Sequence, residues 1–162
     1  MIEQIRFNHN EEALRVLQLQ MQAYMVEADR IGFFDIPPLK ETIASLQESR
    51  ESFYGFFPEG PDGELAGAIA YDRAGDTVTI CRLMVRPSHF RQGIASELLR
   101  FVERMESDCA CFCLTAAVGN EPAIRLYKKH GYAEAGSQEV APGVVLLRLM
   151  KRTTEEIDSQ NC

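Results

Sequence analysis

One stretch, residues 80–103, constrains the fold more than any other: an apolar segment runs into a glycine-containing turn and then into a segment with helical periodicity. Residues 80–85 are short, apolar and β-prone, and Pro87 ends the predicted strand. The predicted helix begins at Ile94, and its apolar face consists of Ile94, Leu98, Phe101, Val102 and Met105. The first amides of a helix carry partial positive charge, so small residues before them allow an anion such as phosphate to approach. A strand, turn and helix without any ligand has the same pattern, and both interpretations stay open.

Length and composition predict one globular domain. The chain has 162 residues, 46% of them apolar, which is enough for a single core without a break in composition. We expect one domain over residues 1–150 and a polar tail over 151–162. No run approaches the roughly 18 apolar residues that span a bilayer, and the N-terminus lacks a basic segment followed by an apolar one. The expectation is a cytoplasmic protein without membrane association.

The charge is distributed unevenly along the chain. Residues 1–64 contain 5 bases and 12 acids, a balance of 5 − 12 = −7, and residues 65–162 contain 12 of each, so the first part carries the whole net charge of −7. This acidic balance argues against a nucleic-acid partner. Residues 82–91 contain three Arg and no acid, so the turn is locally basic. An anion is expected at the turn and a cation near the N-terminal part.

The five cysteines do not form a known metal pattern. Cys109, Cys111 and Cys113 are spaced for one face of a strand, where Cys packs as a small apolar residue. Their spacing lacks the paired Cys-x-x-Cys of zinc sites, so no metal is expected. Structural disulfides are not expected either, because the count is odd and the predicted compartment is reducing.

The remaining periodicity predicts a mixed α/β chain. Strands are predicted at 2–7, 52–57, 64–71, 80–85, 111–118, 132–137 and 144–150, and helices at about 10–31, 39–49, 94–108 and 123–130. Asn8 or Asn10 is the expected cap of the first helix, whose apolar face is predicted as Leu14, Leu17, Met21, Tyr24, Met25 and Ala28. The second and third strands are expected to form a hairpin, because the residues between them are rich in Gly and Pro.

Two motifs on this framework resemble a known family. Leu83, Val85 and Pro87 give L-x-V-x-P, followed by R-Q-G-I-A over residues 91–95; residues 120–132 give N-x-x-A-x-x-L-Y-x-K-x-G-Y. Together they are similar to the GNAT-type N-acetyltransferase superfamily over about residues 77–132, and the order of elements extends the match to most of the chain. The resemblance implies an α/β (α+β) GNAT fold, a mixed, mostly antiparallel, splayed sheet of about seven strands flanked by about four helices.

The resemblance also implies acetyl-CoA as the cofactor. Its pantetheine would lie where the strand ending at Val85 separates from its parallel neighbour at 111–118. The implied contacts are the main chain of Leu83, Met84 and Val85 with the pantetheine, the amides of Arg91, Gln92, Gly93, Ile94, Ala95 and Ser96 with the pyrophosphate, and Asn120, Ala123 and Tyr127 along the next helix.

Tyr127 matches the position of the family's general acid. A tyrosine with its ordinary pKa of about 10 is protonated at neutral pH and can donate without tuning. The alternative is a buried core tyrosine. Phe90 departs from the family, which often has Arg or Gln there, and Cys81 stands where a strand Glu often acts as base.

The sequence leaves the general base open. A water chain, Glu27, Asp29 or Asp35 are the alternatives, whereas His89 and His130 qualify only by residue type. The acceptor is expected against the acidic N-terminal helices, at Glu27, Asp29, Phe33, Phe34 and Asp35. The alternatives are that the aromatic connector packs in the core or forms a lid, and that the acids only solvate these helices.

The function predicted in this way is acetyl-CoA-dependent N-acetylation of a primary amine on a small molecule or peptide, by direct transfer. A non-catalytic acyl-CoA sensor or partner-binding module is the alternative. A dinucleotide oxidoreductase is not supported, because the turn lacks G-x-G-x-x-G. A monomer and a homodimer stay equally open.

Overall fold

The computed structural model describes residues 1–153 and shows one seven-stranded sheet with helices on its two faces. The strands are β1 (Ile2–Ile5), β2 (Ser52–Phe56), β3 (Gly67–Ala74), β4 (Thr77–Val85), β5 (Cys111–Ala117), β6 (Ala133–Ala141) and β7 (Val144–Arg152). The helices are α1 (Asn10–Ile31), α2 (Ile43–Glu48), α3 (Ile94–Met105) and α4 (Glu121–Lys129), with short 3-10 turns at Pro37–Lys40 and Pro87–His89.

The sheet has the order β1-β2-β3-β4-β5-β7-β6, and every neighbouring pair is antiparallel except β4 and β5. This mixed sheet with four α-helices confirms the predicted fold class. The hairpin predicted between the second and third strands is also confirmed, since Phe53 pairs with Ala70 in an antiparallel register. Within residues 1–153, no helix is long and apolar enough to cross a membrane.

Two apolar clusters, one on each face, hold the helices to the sheet. Alternate side chains of β3 enter different clusters. Ile69 and Tyr71 point into the cluster that contains α3 and α4, whereas Ala68 and Ala70 point into the cluster that contains α1 and α2. Leu98 of α3 and Leu19 of α1 are fully buried in their respective clusters. Burying one such side chain contributes about 2 kcal/mol, so both layers stabilise the sheet.

A β-bulge in β4 reverses this alternation before the strand ends. Tyr71 pairs with Ile80 and Ala70 pairs with Arg82, so Cys81 is the extra residue. Before the bulge Ile80 faces α3; after it Met84 faces α1. The single inserted residue therefore gives Leu83 and Val85 the same face as Ile80.

Two predictions about helix boundaries were wrong in detail. His9, not Asn8 or Asn10, caps α1, and its amide donates to the Glu12 side chain at 3.0 Å. The predicted helix at 39–49 is a 3-10 turn followed by α2, because Thr42 caps a new helix by accepting from the Ser45 amide at 3.1 Å.

The predicted apolar faces of α1 and α3 also need correction. The buried face of α1 comprises Ala13, Val16, Leu19, Gln20 and Ala28. Leu14 and Met25, both predicted to be buried, are 43% and 49% exposed, and Met105 at the end of α3 is 46% exposed. A polar residue, Gln20, occupies the buried face of α1 because it bonds to a buried arginine of β4, which apolar periodicity cannot reveal.

Several strand boundaries differ from the predictions. β3 begins at Gly67 rather than 64, β4 begins at Thr77 rather than 80, and β6 continues to Ala141 rather than 137. β7 continues through Arg152, so the strand extends two residues past the predicted domain boundary, and residues 154–162 of the predicted tail lie outside the described residues.

The cysteine prediction was right about packing and wrong about the face. Cys109 precedes β5 and is buried in the cluster with α3, whereas Cys111 and Cys113 lie on β5 between residues that enter that cluster. Cys109 and Cys111 are only 2% and 3% exposed. Residues 1–153 contain no group of three or more His, Cys, Asp or Glu placed to hold a metal ion.

Candidate active site

A wedge-shaped opening separates β4 from β5. The two strands pair in parallel over only three residues each, from Thr77 opposite Cys111 to Thr79 opposite Cys113. The bulge at Cys81 follows two residues later, and bulges increase local twist, which explains why the two strands separate. Leu83 to Val85 still pair with β3 on one side, but on the side of β5 this stretch of β4 faces the opening and has no strand partner within residues 1–153.

The turn after β4 places the start of α3 at the mouth of this opening. Gly93 caps the helix with φ of 77°, and Arg91 has φ of 65°, the left-handed region that side chains disfavour. A Cβ on Gly93 would meet nothing within 4 Å, so the first turn of α3 has open space before it. Gly67 permits the close approach of α3 to the sheet, since a Cβ there would lie 2.8 Å from Ile94 Cγ2.

A cavity of about 500 Å³ runs from this turn along β4 and α4. Its lining contains every predicted cofactor-binding residue except Gln92: Leu83, Met84, Val85, Arg91, Gly93, Ile94, Ala95, Ser96, Asn120, Ala123 and Tyr127. We call it the cofactor cleft. Gln92 is exposed outside it.

The cofactor cleft is basic although the chain is acidic. Arg30, Arg91 and Arg125 line it against one acid, Glu27. Arg30 lies over the Phe90 ring at 6.0 Å, so Phe90, the residue that departs from the family pattern, packs against a cationic side chain of α1. Sequence reasoning missed Arg30 and Arg125, which lie on separate helices and are brought together only by the fold.

A second cavity of about 440 Å³ adjoins the cofactor cleft and is lined by residues of β4, β5 and the β6–β7 hairpin; we call it the acceptor cavity, after the acceptor-binding residues predicted there. Of the residues predicted to bind the acceptor, Glu27, Phe33 and Asp35 line it. Asp29 and Phe34 are exposed and do not belong to the lining. Asp29 and Phe34 point away from the acceptor cavity, because adjacent side chains of a helix or of an extended segment point in different directions.

The two cavities share six residues, which we call the junction: Tyr24, Glu27, Leu83, Asn120, Ala123 and Tyr127. Glu27 accepts a hydrogen bond from Asn120 Nδ2 at 2.7 Å, which links α1 to the N-terminus of α4. Burial raises the pKa of Glu27, although the Asn120 hydrogen bond opposes the shift. A carboxylate with a raised pKa in a cavity is a candidate for proton exchange with a bound substrate.

Two tyrosines accompany Glu27 at the junction. Tyr127 is only 8% exposed, and burial, with a smaller contribution from the Glu27 charge, raises its pKa. Burial and the same charge also raise the pKa of Tyr24. Both phenols are therefore protonated donors over the physiological range. Tyr24 was missed as a site residue; its signal was the i, i+3 spacing from Glu27 on α1.

Cys81 lines the acceptor cavity but lacks the environment of a nucleophile. Loss of water around the thiol, followed by the charges of Glu51 and Asp72, raises the pKa of Cys81 to about 11. Its Sγ lies 3.5 Å from the Thr79 carbonyl, to which it donates. The thiol is thus almost entirely protonated near pH 7.

The two candidate histidines lie away from the junction. His89 Nε2 is 3.4 Å from a Glu64 carboxylate oxygen, at the outer side of the cofactor cleft. His130 follows α4, and its Nε2 lies 3.0 Å from Ser96 Oγ on α3. His130 therefore connects the ends of two helices, which fits a structural role.

Arg82 fixes one wall of the acceptor cavity. Its guanidinium forms ion pairs with Glu51 at 2.9 Å and with Glu41, and it donates to Gln20 Oε1 at 3.0 Å. Its side chain is only 12% exposed, and Gln20 in turn donates to the Pro38 carbonyl at 3.0 Å. The bulged strand, α1 and the connector before α2 are thereby held in one arrangement.

Comparison with known proteins agrees with this geometry. The sequence profile of the acetyltransferase (GNAT) family matches residues 13–132. The chain belongs to the GNAT family. The matched range contains both motifs, all but the first three residues of α1, and the whole junction.

One curated relative and two solved structures extend the comparison, and the two structures share the fold of this chain. UPF0157 protein YqkA of Bacillus subtilis (strain 168) is 36% identical over 146 residues, which are 90% of this chain but 42% of that protein, so the chain spans less than half of its length. The ribosomal-protein-S18-alanine N-acetyltransferase of Escherichia coli has a TM-score of 0.74 at 18% identity, over 100% of this chain and 97% of that one. The paiA N-acetyltransferase of Thermoplasma acidophilum, solved with coenzyme A, has a TM-score of 0.71 at 15% identity, over 94% of this chain and 99% of that one.

Proposed function

We propose that this GNAT domain transfers an acetyl group from acetyl-CoA directly to a primary amine, with proton transfers at Glu27 and Tyr127. One observation carries the proposal: a basic cleft and a largely apolar cavity meet at a junction that holds a carboxylate with a raised pKa and a buried phenol. Such a pair of groups can take a proton on one side and donate one on the other.

The cofactor cleft fits acetyl-CoA on its own residues. Phosphates suit the open space before α3 and the Arg91 and Arg125 side chains, neither of which forms an ion pair within residues 1–153. The exposed main chain of Leu83 to Val85 suits the pantetheine amides. Bound acetyl-CoA would supply the acetyl group in activated form, as a thioester.

The junction residues have distinct proposed roles. Glu27 Oε attracts the acceptor's ammonium and accepts its proton, since the raised pKa makes the carboxylate a competent base. Asn120 positions Glu27 through its 2.7 Å hydrogen bond, a role in addition to the expected cofactor contact. Tyr127 holds a proton on its phenolic oxygen for the departing thiol. Direct transfer follows because Cys81, with a pKa of about 11, does not supply a thiolate.

The test combines calorimetric titration of acetyl-CoA with thiol release in the presence of primary amines. Gly93→Glu places bulk and negative charge before α3, and we expect it to abolish acetyl-CoA binding. Gly75→Glu is the matched control, because Gly75 also has a positive φ, of 62°, and open space around an added Cβ, but lies in the β3–β4 turn. Equal acetyl-CoA affinity of the two variants would exclude the proposed cleft.

The same assay separates the alternative function. Tight acetyl-CoA binding without thiol release in the presence of amines would identify an acyl-CoA sensor and overturn the catalytic proposal.

A further inference from the structure

The charges that line the acceptor cavity are few and mostly neutralised. Among residues 1–153 its lining contains three charged side chains: Glu27, Asp35 and Arg82. Arg82 is paired with Glu41 and Glu51, and Asp35 forms an ion pair with Lys40. Glu27 instead bonds to the neutral Asn120. The charge of Arg30 also acts on Glu27, but Arg30 lines the cofactor cleft and not this cavity. The acceptor cavity thus offers one carboxylate that forms no ion pair within residues 1–153, and that carboxylate lies at the junction.

The rest of the wall is largely apolar. It comprises Ile31, Phe33, Ile36, Pro37 and Pro38 from the end of α1 and the connector, Ile80 from β4, Leu114, Ala116 and Ala117 from β5, and Val140, Ala141, Val144 and Leu146 from the β6–β7 hairpin. Cys81 and Thr115 are its uncharged polar members outside the junction. A second ammonium on an acceptor bound at Glu27 would lose its water against this wall without gaining a carboxylate. The other charged side chains of the lining, Asp35 and Arg82, already have ion-pair partners, so neither offers this second ammonium an unpaired carboxylate.

We infer that the acceptor is a primary monoamine with an apolar body, bound with its single ammonium at Glu27 and its body along the hairpin wall. The inference rests on the proposed function and narrows it. Polyamines and aminoglycosides, which carry several ammonium groups, are disfavoured because sites for them need several spaced carboxylates. The wall also disfavours strongly polar acceptors, because their hydroxyl and amide groups would be buried without partners.

The direct test compares hexylamine with hexamethylenediamine, which have the same carbon chain and differ by one ammonium. With saturating acetyl-CoA and thiol release as the readout, we expect kcat/KM for hexylamine to be at least about tenfold higher. Equal or higher kcat/KM for hexamethylenediamine, spermidine or kanamycin would overturn the inference while leaving acetyltransfer established. No turnover with any amine would overturn the proposed function itself and this inference with it.

A variant of the wall tests the reasoning about charge. Leu146→Asp places a carboxylate on the half-buried hairpin wall, away from the junction, and should shift the ratio of kcat/KM by about tenfold toward hexamethylenediamine. Leu146→Asn is the matched control, with the same shape and no charge. Acetyl-CoA affinity and thermal unfolding of both variants verify that the fold is retained. An equal shift with Asn would show that polarity rather than charge controls the choice, and would overturn the inference.

Discussion

Arg91 has a proposed phosphate-binding role and a strained backbone, and two substitutions separate these properties. Arg91→Ala and Arg91→Gly both remove the guanidinium, but only glycine adopts φ of 65° without steric cost. A left-handed residue with a side chain costs about 1.5 kcal/mol. Glycine costs about 0.7 kcal/mol through the greater entropy of the unfolded chain. Arg91→Gly should therefore be more stable than Arg91→Ala by about 0.8 kcal/mol, or about 2–3 °C in Tm for a chain of this size.

The two variants should nevertheless lose affinity for acetyl-CoA equally. An exposed arginine that contacts a phosphate contributes about 1 kcal/mol, so we expect Kd to rise about fivefold in both, and less at high salt. Calorimetric titration gives Kd and differential scanning calorimetry gives Tm on the same samples.

Two results would refute this reasoning. Equal Tm values for the alanine and glycine variants would mean that residue 91 does not keep a positive φ in solution. Wild-type Kd values in both variants would mean that the guanidinium does not contact the phosphates.

Three further substitutions test the junction and the bulge. Tyr127→Phe should lower kcat by about 10²-fold and leave the Kd of acetyl-CoA nearly unchanged, because it removes one proton donor; an unchanged kcat would contradict the acid role. Glu27→Gln should lower kcat by about 10²-fold and remove the acidic limb of its pH profile. Because the folded-state pKa of Glu27 is raised, wild-type stability falls as pH rises from the ordinary carboxyl value through the raised one. Glu27→Gln should be free of that fall, as urea unfolding at several pH values would show; parallel stability curves would contradict the raised pKa. Cys81→Ala should keep kcat within about twofold in the thiol-release assay, and loss of transfer with a trapped acyl-enzyme in wild type would overturn direct transfer.

Sequence reasoning was most successful where the chemistry is local. The helix after Gly93 begins where predicted, at Ile94, because a strand end, a proline and a positive-φ glycine determine that turn within a few residues. Tyr127 and Asn120 lie at the junction for a similar reason: both occupy one helix whose start is marked by Pro122 in its first turn.

The failures share a different cause, contacts between residues distant in sequence. Gln20 is fully buried on α1 because Arg82, 62 positions later, bonds to it. A prediction of the buried face of α1 from the spacing of apolar residues cannot include Gln20, because Gln20 is buried by this hydrogen bond to Arg82. The choice of Glu27 over Asp29 required the fold as well, since only the rotation of α1 against β4 decides which acid reaches Asn120.

The geometry of the site depends on the presence of a residue at position 81, in the bulge, and not on the chemistry of its side chain. Removing one residue there would restore regular alternation, so Leu83 and Val85 would exchange faces with Arg82 and Met84. The ion pairs of Arg82 and the burial of Met84 would both be lost. The extra local twist that separates β4 from β5 would be lost as well. The position should therefore tolerate substitution and resist deletion, because the fold depends on the number of residues in β4 more than on the chemistry of this one.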